Sequence, residues 1–66
     1  MTPMLTQRQA QVIALVSQGM TDREIARELF LGEQTVKMHI KGMLRAFGAR
    51  NRTHAVAIAF REGLLE

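Results

Sequence analysis

Five residues between positions 34 and 45 recur at helical spacing and share a chemistry: Gln34, Lys37, Met38, Lys41 and Arg45. On a helix advancing about 100° per residue they fall within roughly 100° of arc. The opposite arc collects Val36, Ile40, Met43, Leu44 and Phe47, which suits burial. The polar arc therefore carries three cations, an amide and an unbranched thioether, with no acid among them. Lysine and arginine donate to guanine edges or to phosphates, glutamine can pair bidentately with adenine, and methionine can touch a thymine methyl. These are the side chains that read a DNA major groove. A solvated basic face is the plainer alternative, but such a face normally interleaves acids with bases.

The charge distribution carries the same signal at longer range. Residues 1–33 have a net charge of −1 and residues 34–66 a net charge of +4, with no acid between Gln34 and Arg61. An uncompensated basic half is the electrostatic footprint of a polyanion-binding surface. Other chemistries are poorly supplied. The 66 residues contain no cysteine, so disulfides and thiolate metal sites are excluded. His39 and His54 lie away from the acids in sequence, which leaves no metal site and implies no cofactor. One aspartate and no thiol give an enzyme little to work with, and no nucleophile or carboxylate stands at helical spacing beside His39. No signal-length apolar run or basic leader opens the chain, and its longest apolar stretches, such as residues 12–16, are too short to span a bilayer. The expectation is a soluble, cytoplasmic, non-enzymatic protein.

Such a face must be held by other elements, and four helices can be read from caps and periodicity, at about 7–18, 22–29, 33–47 and 52–62. Thr6 and Gln9 form one capping-box pair, and Thr21 and Glu24 another, with acids in the first turn of the second helix where the dipole favours them. Val12, Leu15 and Val16, flanked by Ile13, give the first helix its apolar stripe, and Gly19 stops it in the left-handed conformation. Ile25, Ala26 and Leu29 form the inner side of the short second helix, and residues 30–32 read as a tight turn. Gly32 is a weak cap for the third helix, which Gly48 ends. Asn51, or alternatively Thr53, caps the fourth, where Ala55, Ile58, Ala59 and Leu64 supply the packing side and Gly63 a fraying end. No strand signal or repeat is present, and only the first four residues look loose. One all-α domain over residues 1–66 follows, buried by packed helices alone. A chain of this size buries only about 60% of its unfolded surface, so its stability is modest.

A short helix joined by a three-residue turn to a longer one is a helix-turn-helix, in which the first helix crosses the DNA backbone and the second enters the groove. The amide groups near Thr21 and Asp22 could then approach a phosphate, and the Thr35 hydroxyl could bind another or cap its own helix. At this point the residues match a pattern. Residues 5–8 (LTQR), 19–26 (GMTDREIA), 35–40 (TVKMHI) and 51–55 (NRTHA) resemble the LuxR-type, GerE-like helix-turn-helix domain, in register and without gaps from Leu5 to Leu64. The resemblance implies a four-helix domain, usually the C-terminal output module of bacterial response regulators and quorum-sensing regulators. It implies that the third helix reads double-stranded DNA and that the fourth can pair two domains on a roughly two-fold site. Carried over, its base-reading positions fall on Gln34, Lys37, Met38 and Lys41. Its phosphate-contacting positions fall on or near Thr21, Arg23, Thr35, Arg45 and Arg52. His39 takes a structural or phosphate role, and His54 a surface one.

Several positions depart from the pattern. Gln9 and Gln11 replace the usual glutamates, which removes charged pairing from the first helix. Gly32 replaces a Ser or Thr cap at a cost of a few tenths of a kcal/mol, and Gly42 inside the third helix costs roughly 1 kcal/mol relative to Ala. Ala46-Phe47 stands where Lys-Leu is common. Val56 and Phe60, one turn apart, form a dimer contact if exposed and ordinary core if buried; the resemblance favours a homodimer, formed in solution or only on DNA. The expected function is a sequence-specific transcription regulator that also contacts RNA polymerase. Its rivals are a promoter-recognition region of a sigma factor and a protein-interaction module that titrates a partner regulator.

Overall fold

In the computed structural model, which describes residues 5–65, α1 (Gln7–Ser17) begins where Thr6 can close its first turn. The Thr6 hydroxyl accepts from the Gln9 N–H at 3.0 Å, and Gln9 Oε1 accepts from the Thr6 N–H at 3.0 Å. Helix α2 (Asp22–Leu29) is closed in the same reciprocal way by Thr21 and Glu24. Helix α3 (Glu33–Phe47) starts at Gly32, which offers no side-chain cap, and ends at Gly48 in the left-handed conformation. Helix α4 (Arg52–Arg61) is capped by Asn51, whose side chain accepts from the His54 N–H. Among the described residues there is no strand.

The differences from the sequence reading are small and have physical causes. Helix α1 ends at Ser17 rather than residue 18, because Gln18 already serves as its C-cap before Gly19 turns at a φ of 85°. Ile13, expected at the edge of the stripe, is buried with Val12, whereas Leu15 and Val16 only lean on the core. Helix α4 ends at Arg61 rather than residue 62. It does not fray: Gly63 adopts a φ of 73°, the Leu64 N–H reaches the Ala59 carbonyl at 2.8 Å, and Leu65 folds back on the core. The carbonyls that a frayed end would leave to water are thereby paired. Leu64, expected inside, is instead exposed. The looseness expected of residues 1–4 lies outside the described residues.

Helix α3 is the central element and packs on the other three. Val36, Ile40 and Met43 are buried from it against Val12, Ile13, Ile25, Ala26, Ala55 and Ala59, with Leu44 and Phe47 half-buried beside them. Each large side chain in this set contributes on the order of 1.5–3 kcal/mol by leaving water. The inner face expected of α3 is therefore the observed one. Gly42 also has a tertiary role. A Cβ there would lie 3.0 Å from Gln9 Nε2, so the missing side chain lets α1 approach where the capping amide sits. This also accounts for Gln9: its work is to accept a backbone N–H, which an amide oxygen does without a charge.

Candidate nucleic-acid interface

Burial of Val36, Ile40 and Met43 fixes the rotation of α3, and that rotation turns the polar arc outward. Gln34, Lys37, Met38, Lys41 and Arg45 are all exposed, with 71% of the Met38 surface in solvent. None of the four base-reading candidates makes a hydrogen bond or ion pair with another described side chain. A cation without an intramolecular partner keeps its full charge for a ligand. A methionine left this exposed contributes nothing to the core and presents a flexible apolar tip. The face is contiguous, acid-free and rigidly backed.

The phosphate candidates divide into two groups. Arg23, Thr35 and Arg45 are exposed and without partners among the described residues. The Thr35 hydroxyl caps nothing, so of its two readings local capping is not the one adopted. Thr21 and Arg52 are engaged. The Thr21 hydroxyl accepts from the Glu24 N–H at 3.2 Å. The Thr21 N–H, offered by the sequence reading to a phosphate, donates to Glu24 Oε1 at 2.8 Å. The Thr21 backbone N–H first, and the Thr21 hydroxyl second, hold the Glu24 carboxyl below its ordinary value of 4.5. Arg52 grips Asp22 with both nitrogens, Nη1 to Oδ1 at 2.7 Å and Nη2 to Oδ2 at 3.3 Å.

Sequence reasoning missed three features here. The Arg52–Asp22 pair spans 30 residues, and no local pattern announces such a partner. His54, expected as a surface residue, is half-buried, and its Nδ1 accepts from the Arg50 N–H at 3.0 Å while its own N–H donates to Asn51 Oδ1 at 2.8 Å. The imidazole thus reaches one residue beyond the cap, to Arg50, and not back to the Asn51 N–H as in the two capping boxes. A cap residue followed three places later by a side-chain acceptor was its legible signal. Phe30 holds the turn before α3 in the left-handed conformation at a φ of 57° with 95% of its surface exposed, at a position where glycine is the less strained choice. On α4, the two apolar candidates separate: Val56 is half-buried and leans on the core, whereas Phe60 is 48% exposed. Among the described residues no cluster of His, Asp or Glu could hold a metal ion, and no helix is long and apolar enough to cross a membrane.

Comparison with known proteins decides the family. Residues 3–59 match the model of the bacterial regulatory proteins of the luxR family. This chain belongs to that family. Spore germination protein GerE of Bacillus subtilis (strain 168) is 42% identical over 64 residues, which cover 97% of the chain and 86% of GerE. The transcriptional regulatory protein LiaR of the same organism is 38% identical over 61 residues, 92% of the chain but 29% of LiaR. Among solved structures, that of the transcription factor GerE superposes with a TM-score of 0.90 at 27% identity, covering 94% of this chain and 92% of that one. The response regulator ChrA of a heme-sensing two-component system superposes with a TM-score of 0.89 at 33% identity, covering 92% of this chain and 30% of ChrA. The chain thus spans most of GerE and less than a third of LiaR or ChrA. The protein is a LuxR-type DNA-binding transcription regulator with the all-α helix-turn-helix fold, and its family is not one of enzymes.

Proposed function

We propose that this one-domain chain binds DNA sequence-specifically, with α3 in the major groove and two copies paired through α4 on a roughly two-fold site. One observation carries the reading: the acid-free face of α3 is exposed, contiguous and backed by buried Val36, Ile40 and Met43. Gln34, Lys37, Met38 and Lys41 address base edges, and Thr21, Arg23, Thr35 and Arg45 hold phosphates. Arg52 belongs to the same rim, where Asp22 takes two of the five guanidinium N–H donors and leaves the others for a phosphate. Phe60, with Val56 at its base, forms the apolar contact between copies. A DNA-bound regulator acts where the chromosome is, which gives the cytoplasm as its compartment and RNA polymerase as a further contact.

Selection of bound sequences from a random duplex library tests this at about 150 mM salt, where non-specific attraction is screened. Enrichment of inverted half-sites is the expected result. Binding that enriches nothing and vanishes as salt rises would overturn it and favour a module that titrates a partner regulator.

A further inference from the structure

We infer that the Asp22–Arg52 pair is a positioning device that sets the angle between the reading helices and the pairing helix, and through it the half-site spacing a dimer accepts. The inference rests on the proposed pairing through α4.

Helices α2 and α4 do not pack on each other; each lies against α1 and α3. Their N-terminal ends are nonetheless joined directly, by the two guanidinium–carboxylate hydrogen bonds of Arg52 and Asp22. The manner in which α4 packs shows why such a tie matters. Its fully buried residues are Ala55 and Ala59, small side chains that allow close approach but interlock shallowly. Helices that interdigitate large side chains are fixed in rotation and slide by ridges and grooves. A helix seated on two alanines, with only Val56 leaning on the core beside them, has less of that restraint. A two-point ion pair adds to it, because the guanidinium and carboxylate planes must nearly coincide for both bonds to form.

The position of Arg52 supports a role beyond its own helix. It occupies the first turn of α4, at the positive end of the helix dipole, where a cation is unfavourable by itself. Asp22, in the first turn of α2, is favourable there and is 15% exposed, against 44% for Arg52. The less solvated partner sits on the reading unit and the more solvated one on the pairing helix. Loosening the pair therefore leaves α2 and α3 packed on each other while α4 gains freedom to pivot about Ala55 and Ala59. Base reading by one copy would survive. Registration of two copies would not.

The test uses the whole chain carrying Asp22→Asn, with Asp22→Glu as the conservative variant; Asp22 is not itself a proposed DNA contact, and any change it causes in the Arg52 contact registers equally on single and double half-sites. Affinity is measured on a duplex with a single selected half-site and on duplexes with two inverted half-sites whose separation changes one base pair at a time. Circular dichroism should show the same helix content for each variant, with Asp22→Asn melting a few degrees lower as a partly exposed ion pair is lost. Asp22→Asn should match the wild type within about twofold on the single half-site, and lose about fivefold on the preferred double site while accepting neighbouring spacings more evenly. Asp22→Glu should recover the spacing preference in part. An unchanged spacing profile in Asp22→Asn, or equal losses on single and double sites, would overturn the inference. A wild type that gains nothing from a second half-site would instead remove the α4 pairing on which it rests, and the two failures are distinguishable from the wild-type data alone.

Discussion

Helices α2 and α3 form the two halves of one motif, yet their N-terminal ends are built in opposite ways. The α2 end is closed: Thr21 and Glu24 exchange two hydrogen bonds, and two acids occupy its first turn. The α3 end is open: Gly32 offers no side chain, and only Glu33 lies in its first turn. The closed helix has few buried side chains, Ile25 and Ala26, and depends on its cap. The open helix has Val36, Ile40 and Met43 in the core and can forgo one. Stability from tertiary packing thus leaves the leading end of the reading helix unobstructed, whereas the supporting helix takes more of its order from local chemistry.

The largest effect that should separate the two comes from the core. Ile40→Ala should cost about 2–5 kcal/mol in chemical denaturation, because it leaves a cavity where α3 meets its three neighbours. A cost no larger than that of removing the α2 cap would mean that α3 does not depend on packing. Next comes the reading face itself: Lys37→Ala should weaken specific DNA binding by about 1–3 kcal/mol in a titration with the selected site, with little change in Tm. Equal loss on random duplex would show that Lys37 touches phosphate only.

Smaller changes probe the caps. Thr21→Ala should lower stability by about 1 kcal/mol through loss of the capping box, as seen in denaturant midpoints. Gly32→Ser closes the open end, where an added Cβ would have room 4.0 Å from the Thr35 hydroxyl, and should stabilise by only a few tenths of a kcal/mol. A gain as large as the Thr21→Ala loss would show that α3 needs its cap after all.

The smallest effect is one of pH. The Glu24 carboxyl is held below 4.5 by its bonds to Thr21, so its contribution is present above the ordinary carboxylate range and is lost as pH falls through the depressed folded value. Melting curves from pH 7 to pH 3 should show the wild type losing ground to Glu24→Gln in acid. The amide of Gln9 already provides a neutral version of the same cap in α1. Parallel curves would mean that Glu24 does not couple the α2 cap to pH.

What the sequence determined by itself was whatever depends on near neighbours along the chain. Thr6 with Gln9, Thr21 with Glu24, and Asn51 before α4 are interactions over three residues, so the helix starts were legible to the residue. The two arcs of α3 follow from helical period alone, and the observed burial of Val36, Ile40 and Met43 agrees with them. Tertiary structure decided the rest. Which of Ile13, Leu15 and Val16 goes deepest, and whether Leu64 or Leu65 folds in, depends on where neighbouring helices lie. Helical period cannot say so, because adjacent apolar residues compete for the same stripe. The engagement of Arg52 with Asp22 and the nearness of Gly42 to Gln9 join residues 30 and 33 positions apart. Such partners are chosen by the packing of whole helices, and no local spacing encodes the choice.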